Sequence, residues 1–438
     1  MSRTLVVDPG PFTWTLGVVG EAGLAALRVV DLVDGVEGDL FRARVTAAAP
    51  ALGGVFAEIG CAAPVFVRLP AAWRRPPPDV GAALLVQGVA DAVADKGARA
   101  APRVALEGAY LTLRADDGGP AVRPDVPADA ATALKARARS LFAGRAVELG
   151  PRAAGVDDAT LVAEADALAA LLATARARFA AADAAPGPLL KREERLALAL
   201  RRFAADAATV VTTAAMRLRV ARLAASADLD APVTGADEPW TAAGAGDALA
   251  EAAAPELAVE GGAALVIEPT AACVAVDVDR RGATAAAATL NAAAVTTLAR
   301  AIAVRELAGQ LVVDFLDPGG EAARAALADL LRTRLQPLEV RVVTVLRSGL
   351  AVLERPRRTA ALHERLDPPR DAAERLLRLA AGHAILQAAV AADVDARLAR
   401  ADLAEAARAW LDLHGSRLVR RRASELPPAT FELESAVS

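Results

Sequence analysis

Val274-Ala275-Val276-Asp277-Val278-Asp279 and Leu311-Val312-Val313-Asp314-Phe315-Leu316-Asp317 are two apolar runs that each end on aspartate, with one helix-length segment between them. Short continuous apolar stretches read as buried strands, and a strand, helix, strand succession implies parallel neighbours joined by a crossover. Both acids then leave the sheet at one edge. In open α/β sheets ligands bind outside the carboxyl ends of the strands, so aspartates arriving there from adjacent strands can share one hard divalent cation. The competing reading is that each aspartate caps the next loop, since Asp is a common turn residue.

Around this pair, residues 254 to 366 alternate strand and helix: Ala263 to Ile267, Cys273 to Val278, helix Asn291 to Leu307, strand Leu311 to Phe315, helix Glu321 to Leu335, strand Val340 to Leu346. That alternation is an α/β sheet domain. Upstream, residues 1 to 33 read as a small strand meander, and from Gly38 to about Pro102 evenly spaced short strands suggest a small barrel. Trp73-Arg74-Arg75-Pro76-Pro77-Pro78 within it is a surface loop, because its prolines can join neither a helix nor a central strand. Residues 103 to 186 open on a strand at Tyr110 to Arg114 and turn helical, with Leu161, Ala165, Leu168, Leu171 and Leu172 on one face. Pro186-Gly187-Pro188 reads as a linker, followed by a helix over Leu189 to Phe203 and a strand at Ala208 to Thr213. The end of the chain, from about 370, reads as two helices, a short strand at Arg417 to Arg421 and a Pro427-Pro428 tail.

With 438 residues the chain is long enough for two to four domains. Hydrophobic residues make up 55%, but alanine alone supplies nearly half of that figure and charges interrupt each candidate span before membrane-crossing length, so a soluble protein is expected. The amino terminus lacks a basic region followed by an apolar core, and Cys61 and Cys273, far apart in apolar contexts, fit reduced core thiols better than a disulfide or a zinc cluster. Both point to the cytoplasm. A net charge of −4 offers no global basicity for nucleic acid, so any polyanion site must be local. Lysine occurs only at 96, 135 and 191, which draws attention to Lys96 beside Gly97.

Leu265-Val266-Ile267-Glu268-Pro269-Thr270, Val276-Asp277-Val278-Asp279, Arg305-Glu306-Leu307-Ala308-Gly309 and Val312-Val313-Asp314-Phe315-Leu316-Asp317 together resemble the ribonuclease E/G family, whose pattern there is V-I-E-x-T, A-I-D-V-N, N-L-E-A, R-x-L-G-G and V-I-D-F-I-D. Asn291 matches the start of N-L-E-A. Arg44-Val45-Thr46, Val55 to Gly60, Phe66 and Lys96-Gly97-Ala98-Arg99 follow the family's RNA-binding barrel in order. Gly349-Leu350 to Arg355 resembles the end of the catalytic domain, and Leu426 to Glu432 resembles the small carboxy-terminal domain.

The resemblance implies a multidomain α/β protein with a β-barrel: an RNase H-like fold (1–33 and 187–253) interrupted by an OB-fold RNA-binding barrel (34–103) and a sensor domain (104–186), then a DNase I-like α/β catalytic domain (254–366) and a small α+β domain (367–438). It implies a magnesium-dependent endoribonuclease, with Mn2+ as a substitute ion, acting on single-stranded RNA such as precursor rRNA or mRNA, with a homodimer open and no membrane partner. Asp277 and Asp314 match the family's metal-binding aspartates, with Asp279 a candidate third ligand; Phe56, Phe66, Lys96 and Arg99 match the barrel residues that grip RNA; Glu268, Thr270, Asn291 and Asp317 support the site. The alternative for Phe56 and Phe66 is barrel core, the usual place of Phe in a short strand. None of His363, His383 and His414 falls in the aspartate block.

Departures from the pattern carry their own expectations. Asp279 replaces asparagine and Ala293 replaces the glutamate of N-L-E-A, which opens the alternative of an RNA-binding protein with weakened or lost catalysis. The family's Arg-Thr pair, which reads a 5′-monophosphate, aligns with Gly150-Pro151, with Arg152 next to it. Arg357 to Pro368 contains no cysteine, so the C-P-x-C zinc link is missing and no zinc is expected. With no long tail, the chain resembles the shorter G-type members.

Overall fold

A computed structural model describes residues 3–437 except 62, 71–76, 94, 95, 117, 182–184, 205 and 366. The expected surface loop at Trp73 to Pro76 lies outside the described residues. Two compact units emerge, Met1–Gly35 with Asp206–Ala248 and His363–Ser438, and Val36–Ala205 with Leu249–Leu362.

In the first unit a five-stranded sheet has the order Val233–Ala236, Ala207–Thr213, Arg3–Pro9, Thr13–Gly20, Gly23–Asp31. The opening meander is thus extended by strands from two hundred residues downstream, Leu5 pairing with Val210 in parallel. The carboxy-terminal part holds three helices (Pro368–Ala380, Ala392–Ala399, Ala401–His414), one more than its sequence suggests. It also holds a three-stranded sheet in which Ile385–Val390 lies between Arg417–Arg422 and Phe431–Val437. The segment after Pro427-Pro428 is therefore a paired strand and not a tail. Ile385–Val390 escapes a sequence reading because a six-residue apolar run between helices has no period that separates strand from helix.

The second unit carries the barrel. Strands β1 (Leu40–Ala49), β2 (Gly54–Glu58), β3 (Val65–Arg68), β4 (Ala83–Ala90) and β5 (Arg99–Ala101) close into a ring in the order β1-β2-β3-β5-β4, β4 returning to β1. Phe41, Ala43, Val45, Val55, Ala57, Val65, Val67 and Val86 alternate inward to fill it. Gly187 and Pro188 pair with Arg42 and Phe41 of β1, so the expected linker is an added edge of this barrel, with Leu189 N–H donating to Leu40 O at 2.7 Å. Residues 104 to 190 build a separate core from the helices Ala128–Leu141 and Asp158–Ala180 against a four-stranded sheet.

The same unit contains a six-stranded sheet. Its strands are β6 (Glu256–Val259), β7 (Ala263–Pro269), β8 (Val274–Asp279), β9 (Gly309–Asp314), β10 (Arg341–Val345) and β11 (Leu350–Arg355), in the order β6-β7-β8-β9-β11-β10. Only β8 and β9 are parallel neighbours, joined by α1 (Ala287–Arg305) as the strand, helix, strand succession requires. The other pairings are antiparallel, because β11 follows β10 by a tight hairpin and inserts next to β9. α1 and α2 (Glu321–Leu335) cover one face with Leu290, Val295, Leu298, Ile302, Leu327 and Leu331, packed on Val274, Val276, Leu311, Val313 and Leu353. α1 is long and apolar enough to cross a membrane by composition alone, contrary to the expectation that charges interrupt each such span. Its apolar residues are the ones that bury this sheet. Cys61 and Cys273 are half-buried and not joined to each other; Cys61 packs against the barrel core, as expected, while Cys273 sits in the β7–β8 hairpin with its N–H donating to Thr270 Oγ1.

Candidate active site

Strand period decides which way the acids point. Along β8, Val274, Val276 and Val278 turn into the helix-covered core while Ala275, Asp277 and Asp279 turn outward; along β9, Leu311 and Val313 turn inward and Val312 and Asp314 outward. Asp277 and Asp314 are direct partners in the β8–β9 register. Two exposed carboxylates therefore stand side by side on the uncovered face of the sheet, near the carboxyl ends of its one parallel pair. Although open to solvent, the carboxyl of Asp277 is pushed above the ordinary carboxylate value, first by partial loss of hydration and then by repulsion from Asp314, Asp279 and Glu268.

Backbone clamps hold the loop beyond Asp314. Asn291, 2% exposed on α1, donates from Nδ2 to Leu316 O at 2.8 Å and accepts at Oδ1 from Leu316 N–H at 3.1 Å. A buried amide that satisfies both backbone groups of one residue fixes the chain leaving β9. Asp317, exposed, caps its own turn by accepting from Gly319 N–H at 2.9 Å. Gly349, next to the Leu350 that pairs with Asp314, has φ +98° and lets the backbone pass so close that a Cβ would lie 2.5 Å from Phe315 O.

The remaining sequence-selected residues have distinct placements. Glu268 is exposed on the same face, paired with Ala275. Thr270 closes the β7–β8 hairpin, its Oγ1 donating to Cys273 O at 2.7 Å, at the opposite end of β8 from Asp277. Asp279 is occupied by Arg281, accepting from its backbone N–H at 3.0 Å and from its Nε at 3.0 Å. Among the described residues no group of three or more His, Cys, Asp or Glu converges to hold a metal ion. A cation here would rest on Asp277 and Asp314 with water completing its shell, an arrangement that suits Mg2+, which keeps several waters and takes one or two carboxylates.

On the barrel, the core reading of the phenylalanines fails. Phe56 (36% exposed) and Phe66 face outward and pair across β2 and β3, with ring centroids 5.5 Å apart and planes at 61°. Arg99 on β5 pairs with Phe66, so two aromatics and a cation form one cross-strand row. Arg99 also donates from Nη2 to Arg357 O at 3.2 Å. Phe66 lies over Gly54, where a Cβ would come within 2.6 Å of its ring, a role that the Gly53-Gly54 pair signals in sequence only as a turn. Lys96 is exposed, its backbone paired with Val93.

Gly150 and Pro151 begin a 3-10 turn, and an ideal Cβ on Gly150 would sit 3.4 Å from Cδ of Arg123. That arginine is already committed to Asp125, through Nε at 3.0 Å and Nη2 at 2.7 Å. Arg152 is exposed on the same turn.

The ribonuclease E/G family model matches residues 130–358, a span that includes Asp277, Asn291 and Asp314. The chain belongs to the ribonuclease E/G family. None of the curated proteins matches it. Family membership points to an endoribonuclease acting on RNA in processing or decay. The matched span begins beyond the barrel, so the placement of Phe56, Phe66, Lys96 and Arg99 rests on the barrel's own geometry.

Proposed function

We propose that this ribonuclease E/G family member is a magnesium-dependent endoribonuclease that cuts single-stranded RNA internally, in the cytoplasm. The observation that carries the reading is the direct pairing of Asp277 with Asp314 on an open sheet face within the family span. Two carboxylates held side by side repel, and a divalent cation removes that cost, so their retention fits a metal site. Bound there, Mg2+ would polarise a phosphoryl oxygen and acidify a water for in-line attack. Asp277 and Asp314 would hold the ion, Asn291 fixes the loop after Asp314, and Glu268 stands near enough to add negative potential. The exposed row Phe56, Phe66, Arg99, with Lys96, would grip the strand by sequence-tolerant stacking and phosphate contact. In architecture we read the five-stranded sheet as RNase H-like, the barrel as an OB fold, residues 104–186 as the sensor domain and the six-stranded sheet as DNase I-like. No zinc link is expected.

Entry at internal sites, independent of the 5′ end, follows from Gly150-Pro151. Proline lacks a backbone N–H, and the neighbouring Arg123 is neutralised by Asp125. A second reading, RNA binding with lost catalysis, is favoured by Asp279 being tied to Arg281 and by Ala293 packing against the sheet core where the family has glutamate. One assay separates the two: a fluorescent A/U-rich single-stranded oligonucleotide incubated with the full chain, with and without Mg2+. Cleavage that needs Mg2+ and disappears in Asp277→Asn supports the enzyme; binding without cleavage supports the alternative.

A further inference from the structure

We propose that the uncovered face of the six-stranded sheet carries, directly beside Asp277 and Asp314, an apolar subsite for a nucleoside flanking the scissile phosphate. This rests on the nuclease reading above. A sheet with one solvated face normally alternates apolar inward and polar outward. Here the outward positions nearest the acids break that rule. Val266 pairs with Asp277, and Leu350 with Asp314. One row down on the same face, Ala275 pairs with Val312 and Val312 with Val352. All five are half-buried and point away from the helices, whose packing partners are the alternate residues Val276, Val313, Ala351 and Leu353. The aspartate pair is therefore set into an apolar floor.

Geometry and charge together choose the occupant. Rows on one face are two residues apart, roughly 6.7 Å, so the floor begins about one nucleoside's reach from a phosphate held at the aspartates. Phosphates themselves are disfavoured on it, since Glu268, Asp277 and Asp314 leave the neighbourhood negative wherever a cation does not intervene. The uncharged sugar and base have no such penalty. A floor of three valines, a leucine and an alanine, with Glu268 and Thr344 only at the two ends of its lower row, accepts the flat face of any base by area and dispersion, so the subsite would position the strand without reading its sequence.

The experiment uses the full chain, Mg2+ and a single-stranded oligonucleotide with one mapped cleavage bond, in which an abasic nucleotide is walked through the positions on either side of that bond. Wild type should lose roughly tenfold in kcat/KM when the abasic unit falls next to the bond, and little when it lies farther away. Val312→Ser combined with Val352→Ser should show a similar loss on intact RNA and no further loss on the abasic form. Val312→Ile should retain both the rate and the abasic penalty, with thermal melts showing that each variant is folded. Equal rates of wild type on intact and abasic RNA, or penalties that multiply in the serine variant, would overturn the subsite while leaving the nuclease reading intact. If the serine variant instead changes only the oligomeric state, the face is covered by a second copy and the subsite is likewise wrong. Absence of Mg2+-dependent cleavage of any form would sink the nuclease reading and the subsite with it.

Discussion

Replacing Asp277 with asparagine should make the metal-free protein more stable while abolishing cleavage. Neighbouring strands lie ~4.8 Å apart, and two charges about 5 Å apart repel by about 0.8 kcal/mol at the dielectric of water. The water value applies because both Asp277 and Asp314 are exposed. Glu268 and Asp279 also repel Asp277, each adding about 0.6 kcal/mol at ~7 Å before screening. Asp279 is largely neutralised by Arg281, and physiological salt screens with a Debye length of ~8 Å. A net gain of about 1 kcal/mol remains for Asp277→Asn, read as a rise in the melting transition of the unit that carries the sheet, in EDTA. Added Mg2+ should reverse the order, since an ion present at about a hundred times its Kd stabilises wild type by about 2.7 kcal/mol and the variant by much less. The sign with pH also follows. The folded carboxyl titrates above its ordinary value of 3.8, so the stability Asp277 contributes is full below that value and is lost as pH rises through the raised one. The advantage of the variant should therefore be complete at neutral pH and vanish below about pH 3.8. Equal stabilisation of both proteins by Mg2+, or wild-type cleavage by Asp277→Asn, would refute the reasoning.

Phe56→Ala and Phe66→Ala should each weaken single-strand binding by about 1 to 3 kcal/mol without lowering the melting temperature, and of the set only Lys96→Ala should reduce the salt slope, by about one counterion. Loss of stability with RNA affinity intact would return the phenylalanines to the core. Asn291→Ala leaves both polar groups of Leu316 unpaired at about 1 to 3 kcal/mol each, and should lower kcat more than KM because it releases the loop after Asp314. Steady-state kinetics on a short oligonucleotide check this, an unchanged kcat being the contrary result. Oligonucleotides with 5′-monophosphate and 5′-hydroxyl ends should be cut at similar rates. A tenfold preference for the monophosphate, removed by Arg152→Ala, would show that the turn at Gly150 senses the end after all.

Local pattern in the sequence determined a good deal of this protein. The runs ending in Asp277 and Asp314 with one helix between them required a parallel pair and placed both acids together, because side-chain direction in a strand has a period of two and the crossover admits few geometries. The evenly spaced short runs between Gly38 and Pro102 likewise marked the barrel, two of them becoming the strands Gly54–Glu58 and Val65–Arg68. What the sequence left open depended on partners distant along the chain. Phe56 and Phe66 could have been core or surface until the barrel closed and Val55, Ala57, Val65 and Val67 took the interior. Asp279 was only a candidate third ligand in the sequence, and the fold brought Glu256 to the Arg281 that engages it. The strand at Ile385–Val390 and its pairing with Phe431–Val437 also lay outside local reading, since the backbone hydrogen bonds that join strands leave no periodic mark in sequence. Composition and period fix which way each side chain faces; which chain segment it then meets is decided by tertiary packing, where contacts between residues far apart in sequence set the register.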